Sequence, residues 1–163
     1  MEESKEYISY MRRMIGHKKM ISIGLCCIIQ DEEGRILLEK RSDNHQYCLP
    51  GGSINFDETV TEGLTREVYE ETGIVLKEPK LMMILSGKKE EFIYPNGDMT
   101  DYVDLIYYCR MKNSQLSSLI HDGESLELKF YSAEELPKEE EMLRGTMRPI
   151  RKFLSGNLEL EVD

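Results

Sequence analysis

No stretch of the 163-residue sequence approaches the ~18 consecutive apolar residues that a membrane-spanning helix needs. The opening residues Met1-Glu2-Glu3-Ser4-Lys5-Glu6 lack an apolar stretch behind a basic end, so they do not read as a signal peptide, and the expected location is cytoplasmic. Four cysteines (Cys26, Cys27, Cys48 and Cys109) show no metal-ligand spacing. Cys26 and Cys27 are adjacent in a strand-like run and point to opposite faces, so they share no ligand; reduced structural cysteines are expected. Internal repeats and linkers are also missing. One domain over 1–163 is therefore expected, with residues 1–19 as a helical extension. Basic residues are the minority, 21 against 31 acidic, for a formal charge of −10. That balance repels nucleic acid and anionic membranes unless basic patches or metal ions intervene. A polyanionic substrate would need a cation at its site.

What is present reads as alternating helices and strands. Tyr7, Tyr10, Met11, Met14 and Ile15 lie at helical spacing over 5–15, with Gly16 as a stop. Residues 21–30 (ISIGLCCIIQ) form an apolar run suited to a strand buried on both faces, and the turn 31–34 leads into a partner at 35–40. The spacing predicts a helix over 58–72 closed by Gly73. A long strand is expected over 74–86, then a pair near 90–94 and 101–111 around the turn Pro95-Asn96-Gly97-Asp98. Leu126 to Tyr131 reads as another strand. Ser132-Ala133-Glu134-Glu135 has capping-box form, and a last helix runs from about 146 to 154 before Gly156. This order points to an α/β fold with a mixed sheet covered by helices.

The central helix is chemically unusual. Glu67, Glu70 and Glu71 stand at i, i+3 and i+4, gathering three carboxylates on one face, which destabilises a bare helix by ~0.2–0.5 kcal/mol per pair. A hard divalent cation reverses that sign, because Mg²⁺ takes carboxylate oxygens, waters and substrate phosphates. Val60, Leu64 and Val68 form a bordering apolar stripe, which puts the acids at the edge of the core. Gly63 costs ~1 kcal/mol inside a helix, and close approach by another backbone is a reason to tolerate it. Arg66 can orient Glu70 through an i, i+4 ladder with Glu62. The bend Leu49-Pro50-Gly51-Gly52 offers carbonyls to a metal. A solvated acidic helix is the alternative on the glutamates alone.

The whole segment resembles the Nudix box: glycine, five residues, glutamate, seven residues, then Arg-Glu-aliphatic-any-Glu-Glu-any-Gly-aliphatic. Here it reads Gly52, Glu58, Arg66-Glu67-Val68-Tyr69-Glu70-Glu71-Thr72-Gly73-Ile74. Every specified position matches, and a chance match is on the order of 10⁻¹⁰ per starting position. The resemblance implies a Nudix α/β/α sandwich with a central mixed β-sheet over 20–155. It implies Glu67, Glu70 and Glu71 as ligands of Mg²⁺, or Mn²⁺ in its place, with the Gly51 or Gly52 carbonyl adding an oxygen. Arg66 and Glu58 would hold the loop and helix ends together. The proton from water would go to Glu67, Glu70 or a glutamate outside the box. Glu124 and Glu127 are the outside candidates, and Glu127 is favoured as a late metal ligand or base.

Base stacking falls to Tyr47, Phe92 and Tyr94, each also readable as a core or sheet-face residue. Arg41 could bind phosphate. Tyr47 stands where the family frequently has tryptophan, so the base pocket departs from the common pattern. The segments 7–17 and 94–98 are similar to a bacterial subgroup called ADP-ribose-pyrophosphatase-like. The implied activity is hydrolysis of a phosphoanhydride in a nucleoside diphosphate linked to another moiety, such as ADP-ribose or a nucleotide sugar. Alternatives are a nucleoside triphosphate pyrophosphohydrolase (house-cleaning or RNA 5′-end) and a non-catalytic nucleotide-binding module. Basic clusters at Arg12, Arg13, His17, Lys18 and Lys19, and at Arg144, Arg148, Arg151 and Lys152, read as solvated helix faces rather than a nucleic-acid surface. The expected partner is a small nucleotide, with no membrane; the apolar side of the first helix could pack on a second copy as a homodimer.

Overall fold

A computed structural model describes residues 6–116, 119–120 and 123–163. Helix α1 (Tyr7–Ile15) leads into β1 (Met20–Gln30), β2 (Ile36–Arg41), β3 (Tyr47–Cys48) and β4 (Gly51–Ser53). Helix α2 (Val60–Thr72) follows, then β5 (Lys80–Leu85), β6 (Glu91–Ile93), β7 (Met99–Arg110), β8 (Ser125–Tyr131), α3 (Met147–Leu154) and β9 (Glu161–Val162). The sheet runs β3-β2-β1-β7-β5-β9, with β4 joined to β1, β6 to β7 and β8 to β2. It is mixed: β1–β7 and β5–β9 are parallel, and the other pairs are antiparallel. No helix among the described residues is long and apolar enough to cross a membrane.

Strand β1 is the spine; its apolar run is buried on both faces from Leu25 onward, while Ile21 and Ile23 are exposed rather than buried as expected. Leu25, Cys27 and Ile29 pack with Leu64 and Val68 of α2, while Ile28 packs with Ile150 and Phe153 of α3. Two cores thus lie on opposite sides of one sheet, the α/β/α sandwich that the sequence implied. All four cysteines are free, and Cys26 and Cys27 face opposite sides. Strand β1 meets β2 only at Gln30–Ile36, after which β2 turns away to pair with β8 along its length. The edge of β1 so released is taken by β4, with Gly24 opposite Ser53, Leu25 opposite Gly52 and Cys26 opposite Gly51. That divergence places the two-glycine turn beside the middle of β1.

Several expected boundaries move. Helix α2 begins at Val60, because Thr59 caps it: the Thr59 hydroxyl accepts from the Glu62 amide and the Glu62 carboxylate accepts from the Thr59 amide. Glu58 therefore lies outside the helix, and Glu62 serves the cap rather than a ladder to Arg66. At the other end Gly73 adopts φ 74° and closes the helix, as its sequence suggested. The strand expected over 74–86 is ordered as a ladder only from Lys80. Glu78 has φ 48° and Pro79 has no amide to donate, so residues 74–79 cannot join the sheet. Ile74 and Leu76 still bury against α2's core, which is why the segment looked like a strand. The strands β3, β4 and β9 were not foreseen, being too short to carry a periodicity.

Helix α1 turns part of its apolar side to the chain, while Met14 stays exposed. Tyr7 and Tyr10 meet the Phe56 ring edge-on at 5.2 and 5.5 Å, and the Tyr7 amide donates to the Asn55 side chain. Arg12 reaches the far hairpin, donating to the Met99 carbonyl and the Thr100 hydroxyl at 2.8 Å each.

Candidate functional site

The box folds as a loop, a turn and a helix pinned by one arginine. From α2, Arg66 donates through Nε and Nη2 to the Glu58 carboxylate at 2.5 and 2.9 Å, and through Nη2 to the Ser53 carbonyl at 3.1 Å. The guanidinium holds the Glu58 carboxyl below the usual glutamate range. Glu58 in turn accepts the Asn55 amide, so the loop 53–58 is tied to the helix at both ends. This is the clamp that the resemblance assigns to Arg66 and Glu58. Gly63 is explained by the same packing: a Cβ there would sit 2.9 Å from a Leu25 methyl and 3.0 Å from a Glu58 oxygen. The close neighbours are side chains, not the backbone expected from the sequence.

The three box glutamates occupy different settings. Glu67 is largely buried, and its carboxylate lies flat on Gly52, where a Cβ would come within 2.4 Å of it. Burial pushes the Glu67 carboxyl up, and Arg66 at 2.9 Å works in the opposite direction. Glu71 accepts the Gly51 amide at 2.8 Å. Glu70 is 56% exposed and reaches Arg66 at 3.3 Å. Every donor here is a hard oxygen, which suits a hard divalent cation. The carboxylates are nonetheless spread among Arg66 and backbone amides, and among the described residues no group of three or more His, Cys, Asp or Glu side chains is gathered as a metal cage.

Beside the turn opens a cleft on the α3 side of the sheet. Its lining includes Gly51, Gly52, Glu71, Phe92, Tyr94 and Asp104. Phe92 and Tyr94 meet edge-to-face at 4.5 Å, and Arg41 lies over Phe92 at 6.0 Å. The Arg41 fork is closed by a bidentate pair with Asp43 at 2.9 and 2.6 Å, so a phosphate would have to compete with that carboxylate. The Tyr94 and Tyr102 hydroxyls contact at 2.5 Å, and burial raises the Tyr94 phenol.

Two sequence candidates lie elsewhere. Tyr47 packs edge-on against Tyr131 at 6.0 Å with the Lys40 ammonium over its ring; it is a sheet-face residue and does not line the cleft. Glu127 accepts from the Tyr131 hydroxyl on the same strand and is likewise absent from the lining. At Glu124 the backbone carbonyl accepts from Ser42. His121 and Asp122, which precede these acids in the sequence, lie outside the described residues.

The cleft also holds acids that the sequence did not single out. Asp104 of β7 and Glu90, at the end of a short turn before β6, both line it and interact with one another. Burial pushes the Asp104 carboxyl up to about 7, with Glu90 adding to it, and burial raises Glu90 as well. Cys26 is the third, its thiol raised well above normal by burial first and then by Asp104. The available signal was alternation along a strand whose inward positions include an acid, but Asp104 sits among half-buried neighbours and breaks no visible pattern. Both basic clusters are largely neutralised. Arg12 and His17 meet Asp98, Lys19 meets Glu91 and Asp101, Arg148 meets Glu161 and Asp163, Arg151 meets Glu139, and Lys152 meets Glu161.

An α/β/α sandwich with an acidic loop–helix–loop beside a cleft defines a class, and comparison with known proteins gives the same class. The model of the NUDIX domain matches residues 20–153. The chain belongs to the Nudix family of hydrolases. It is 28% identical over 127 residues to an ADP-ribose pyrophosphatase of Methanocaldococcus jannaschii, covering 74% of this chain and 70% of that one. It is 45% identical over 53 residues to a MutT-like protein of Streptomyces ambofaciens, a match that spans 32% of this chain and only 34% of that relative. Among solved structures, the MutT protein of Methanosarcina mazei Go1 superposes with a TM-score of 0.68 at 24% identity, covering 86% of this chain and 97% of that one. An ADP-ribose pyrophosphatase of Streptococcus suis gives 0.64 at 21%, covering 87% and 98%. At these identities the superpositions establish the fold. Nudix hydrolases generally use a divalent metal.

Proposed function

We propose that this protein is a cytoplasmic pyrophosphohydrolase that cleaves a phosphoanhydride bond in a nucleoside diphosphate linked to a second moiety, ADP-ribose or a nucleotide sugar. The observation that carries this reading is one cleft joining the Gly51–Gly52 turn and Glu71 to an aromatic wall of Phe92 and Tyr94. The glycine turn and its acids suit a cation-held diphosphate, and the aromatic rings suit a base. The resemblance of 74% of the chain to an ADP-ribose pyrophosphatase supports the same substrate class. Pairing of most members of both basic clusters with acids disfavours an RNA 5′ end, which needs uncompensated positive surface.

Glu67, Glu70 and Glu71, with the Gly51 or Gly52 carbonyl, would hold Mg²⁺, or Mn²⁺ in its place. When bound, such an ion supplies charge neutralisation on the phosphoryl oxygens and activation of water. The chain's own part is positioning. Arg66 fixes the loop through Glu58 and the Ser53 carbonyl, which sets the height of the Gly51–Gly52 turn. Gly52, lacking a side chain, lets the Glu67 carboxylate lie against that turn. Glu70, the most exposed of the three, has the freedom to turn inward and complete the set, and Glu67 or Glu70 takes the water's proton.

The test is product analysis with Mg²⁺ or Mn²⁺ across ADP-ribose, nucleotide sugars, dinucleoside polyphosphates and nucleoside triphosphates. Nucleoside monophosphate plus a phosphorylated second product is expected; pyrophosphate release from triphosphates alone would replace this reading with the house-cleaning one. Glu70→Gln should lower turnover by more than the ~10–100-fold that loss of a group merely supporting a metal ligand costs. Undiminished activity in that variant would refute the ligand assignment.

A further inference from the structure

Helix α1 is tied to two parts of the cleft's frame. At its start the Tyr7 amide donates to the Asn55 side chain at 3.0 Å, and Tyr7 and Tyr10 both meet the Phe56 ring. Asn55 and Phe56 belong to the loop that Arg66 and Glu58 clamp beside the Gly51–Gly52 turn. Further along, the Arg12 guanidinium spreads over three segments. Nη1 donates to the Gly16 and Lys18 carbonyls at 3.2 and 2.7 Å, and Nη2 to the Met99 carbonyl and the Thr100 hydroxyl at 2.8 Å each. Nε stands 3.4 Å from Asp98 Oδ2, and the Arg12 side chain is only 12% exposed. Five oxygens thus surround a fork of five N–H groups. His17 Nδ1 lies 2.6 Å from the other Asp98 oxygen, and Lys19 bridges Glu91 and Asp101 at 3.1 and 2.9 Å. The hairpin gripped in this way carries Phe92 on β6 and Tyr94 at its turn. Among the described residues β6 is a three-residue strand that pairs with β7 alone.

We propose that Arg12 is a positioning residue for nucleotide binding: through Asp98 and the start of β7 it fixes the Phe92–Tyr94 wall relative to the box, with α1 as the strut between them. This rests on the nucleotide-hydrolase reading above. Stacking on a base requires the rings to be held in place before the base arrives, and a short two-stranded ribbon is marginal by itself in water. The strap from α1 supplies what that ladder lacks. Segments 7–17 and 94–98, which the box leaves unexplained, meet here, with His17 and Asp98 81 positions apart in the chain. A helix of nine residues spans ~14 Å as one rigid rod, so a hold at each end sets a distance. None of the Arg12 partners belongs to either apolar core, so its loss loosens the hairpin rather than the fold. Lysine does not replace it, because one compact ammonium has three donors and no planar fork to serve five oxygens.

Calorimetric binding of ADP and of inorganic pyrophosphate, each with Mg²⁺, tests this, because pyrophosphate engages the box alone while ADP also reaches the wall. Arg12→Gln is expected to weaken ADP ~5–10-fold, the low end of what stacking on an aromatic ring contributes, and to leave pyrophosphate unchanged. In a Phe92→Leu background the same substitution should cost ADP little more, since Arg12 acts through the wall. A thermal melt confirms folding; Asp98→Asn, which removes the charge that Arg12 and His17 grip, gives the same readout if Arg12→Gln does not fold. Equal weakening of both ligands, unchanged ADP affinity in the folded variants, or a full further loss in the Phe92→Leu background overturns the proposal, as does absence of ADP binding by wild-type protein. Hydrolysis of ADP-ribose, measured in parallel, should show KM raised with kcat retained. Selective loss of ADP affinity in a protein that hydrolyses nothing removes the hydrolase reading and leaves the strut standing; hydrolysis with unaltered KM and ADP affinity in the variants does the reverse.

Discussion

Gly52 and Glu67 show how a single missing atom shapes the site. A methyl at position 52 would collide with the Glu67 carboxylate at 2.4 Å, and the object it meets is the far end of a flexible side chain. Gly52→Ala should therefore leave Tm within ~2–4 °C of wild type, the equivalent of ~1 kcal/mol in a chain this size. Activity should fall by ~10–100-fold, as it does when an outer group that orients a ligand is lost. Paired melting and rate measurements check this; a large Tm loss with intact activity would show that the glycine serves the backbone instead. The residue pattern of the box was legible in the sequence because a fixed spacing encodes one loop–helix–loop. The cleft was legible only in part. Phe92, Tyr94 and Arg41 reach it, whereas Tyr47 was drawn off to Tyr131 and Glu127 to the hydroxyl of that same tyrosine. Asp104 and Glu90 were missed because their proximity depends on β7 and the turn before β6 meeting across the sheet, which no local pattern states.

Helix α2 is held at its ends more than along its length, since its middle presents like charges. The Thr59–Glu62 capping box satisfies two amides at the start, and Gly73 ends the helix by donating its amide to the Tyr69 carbonyl. Thr59→Ala should destabilise the protein by ~1 kcal/mol, read in chemical denaturation, and raise the metal concentration needed for half-maximal activity as the first turn loosens beside Glu58. A loss of stability with unchanged metal dependence would mean that the cap and the site are uncoupled. Periodicity located the elements and failed at their edges for definite reasons. The start of α2 was fixed by the Thr59 side chain, two residues beyond where Glu58 suggested. The segment 74–79 has the apolar content of a strand but not its hydrogen bonds, because Glu78 and Pro79 take it off the ladder.

For the molecule as a whole, two carboxyl environments pull stability in opposite directions with pH. Arg66 lowers the Glu58 carboxyl, so its contribution is present above the ordinary glutamate range and is lost as pH falls into the acid. Asp104 behaves oppositely. Its folded value of about 7 lies above the ordinary 3.8, so its contribution is full below about pH 4 and is lost as pH rises through 7. The groups facing it are Glu90 from the neighbouring turn and Cys26 from β1, neither of which supplies a compensating cation. Melting temperature should therefore decline between pH 5 and pH 8, and Asp104→Asn should flatten that decline, gaining ~2–4 °C at pH 8 for each kcal/mol recovered. An identical pH profile in the variant would show that the buried aspartate is not the source.

Strand β1 pairs in parallel with β7 from Met20–Thr100 to Gln30–Arg110, while β2 touches it at one residue and β4 at three. During synthesis the ribosome therefore releases an apolar spine whose main partner does not yet exist, and it stays unmatched until Arg110 has left the exit tunnel. Closing so distant a ladder comes late and slowly, because the entropy of the intervening chain must be overcome before any pairing returns it. For that interval the nascent chain exposes a sticky edge that a holding chaperone would recognise.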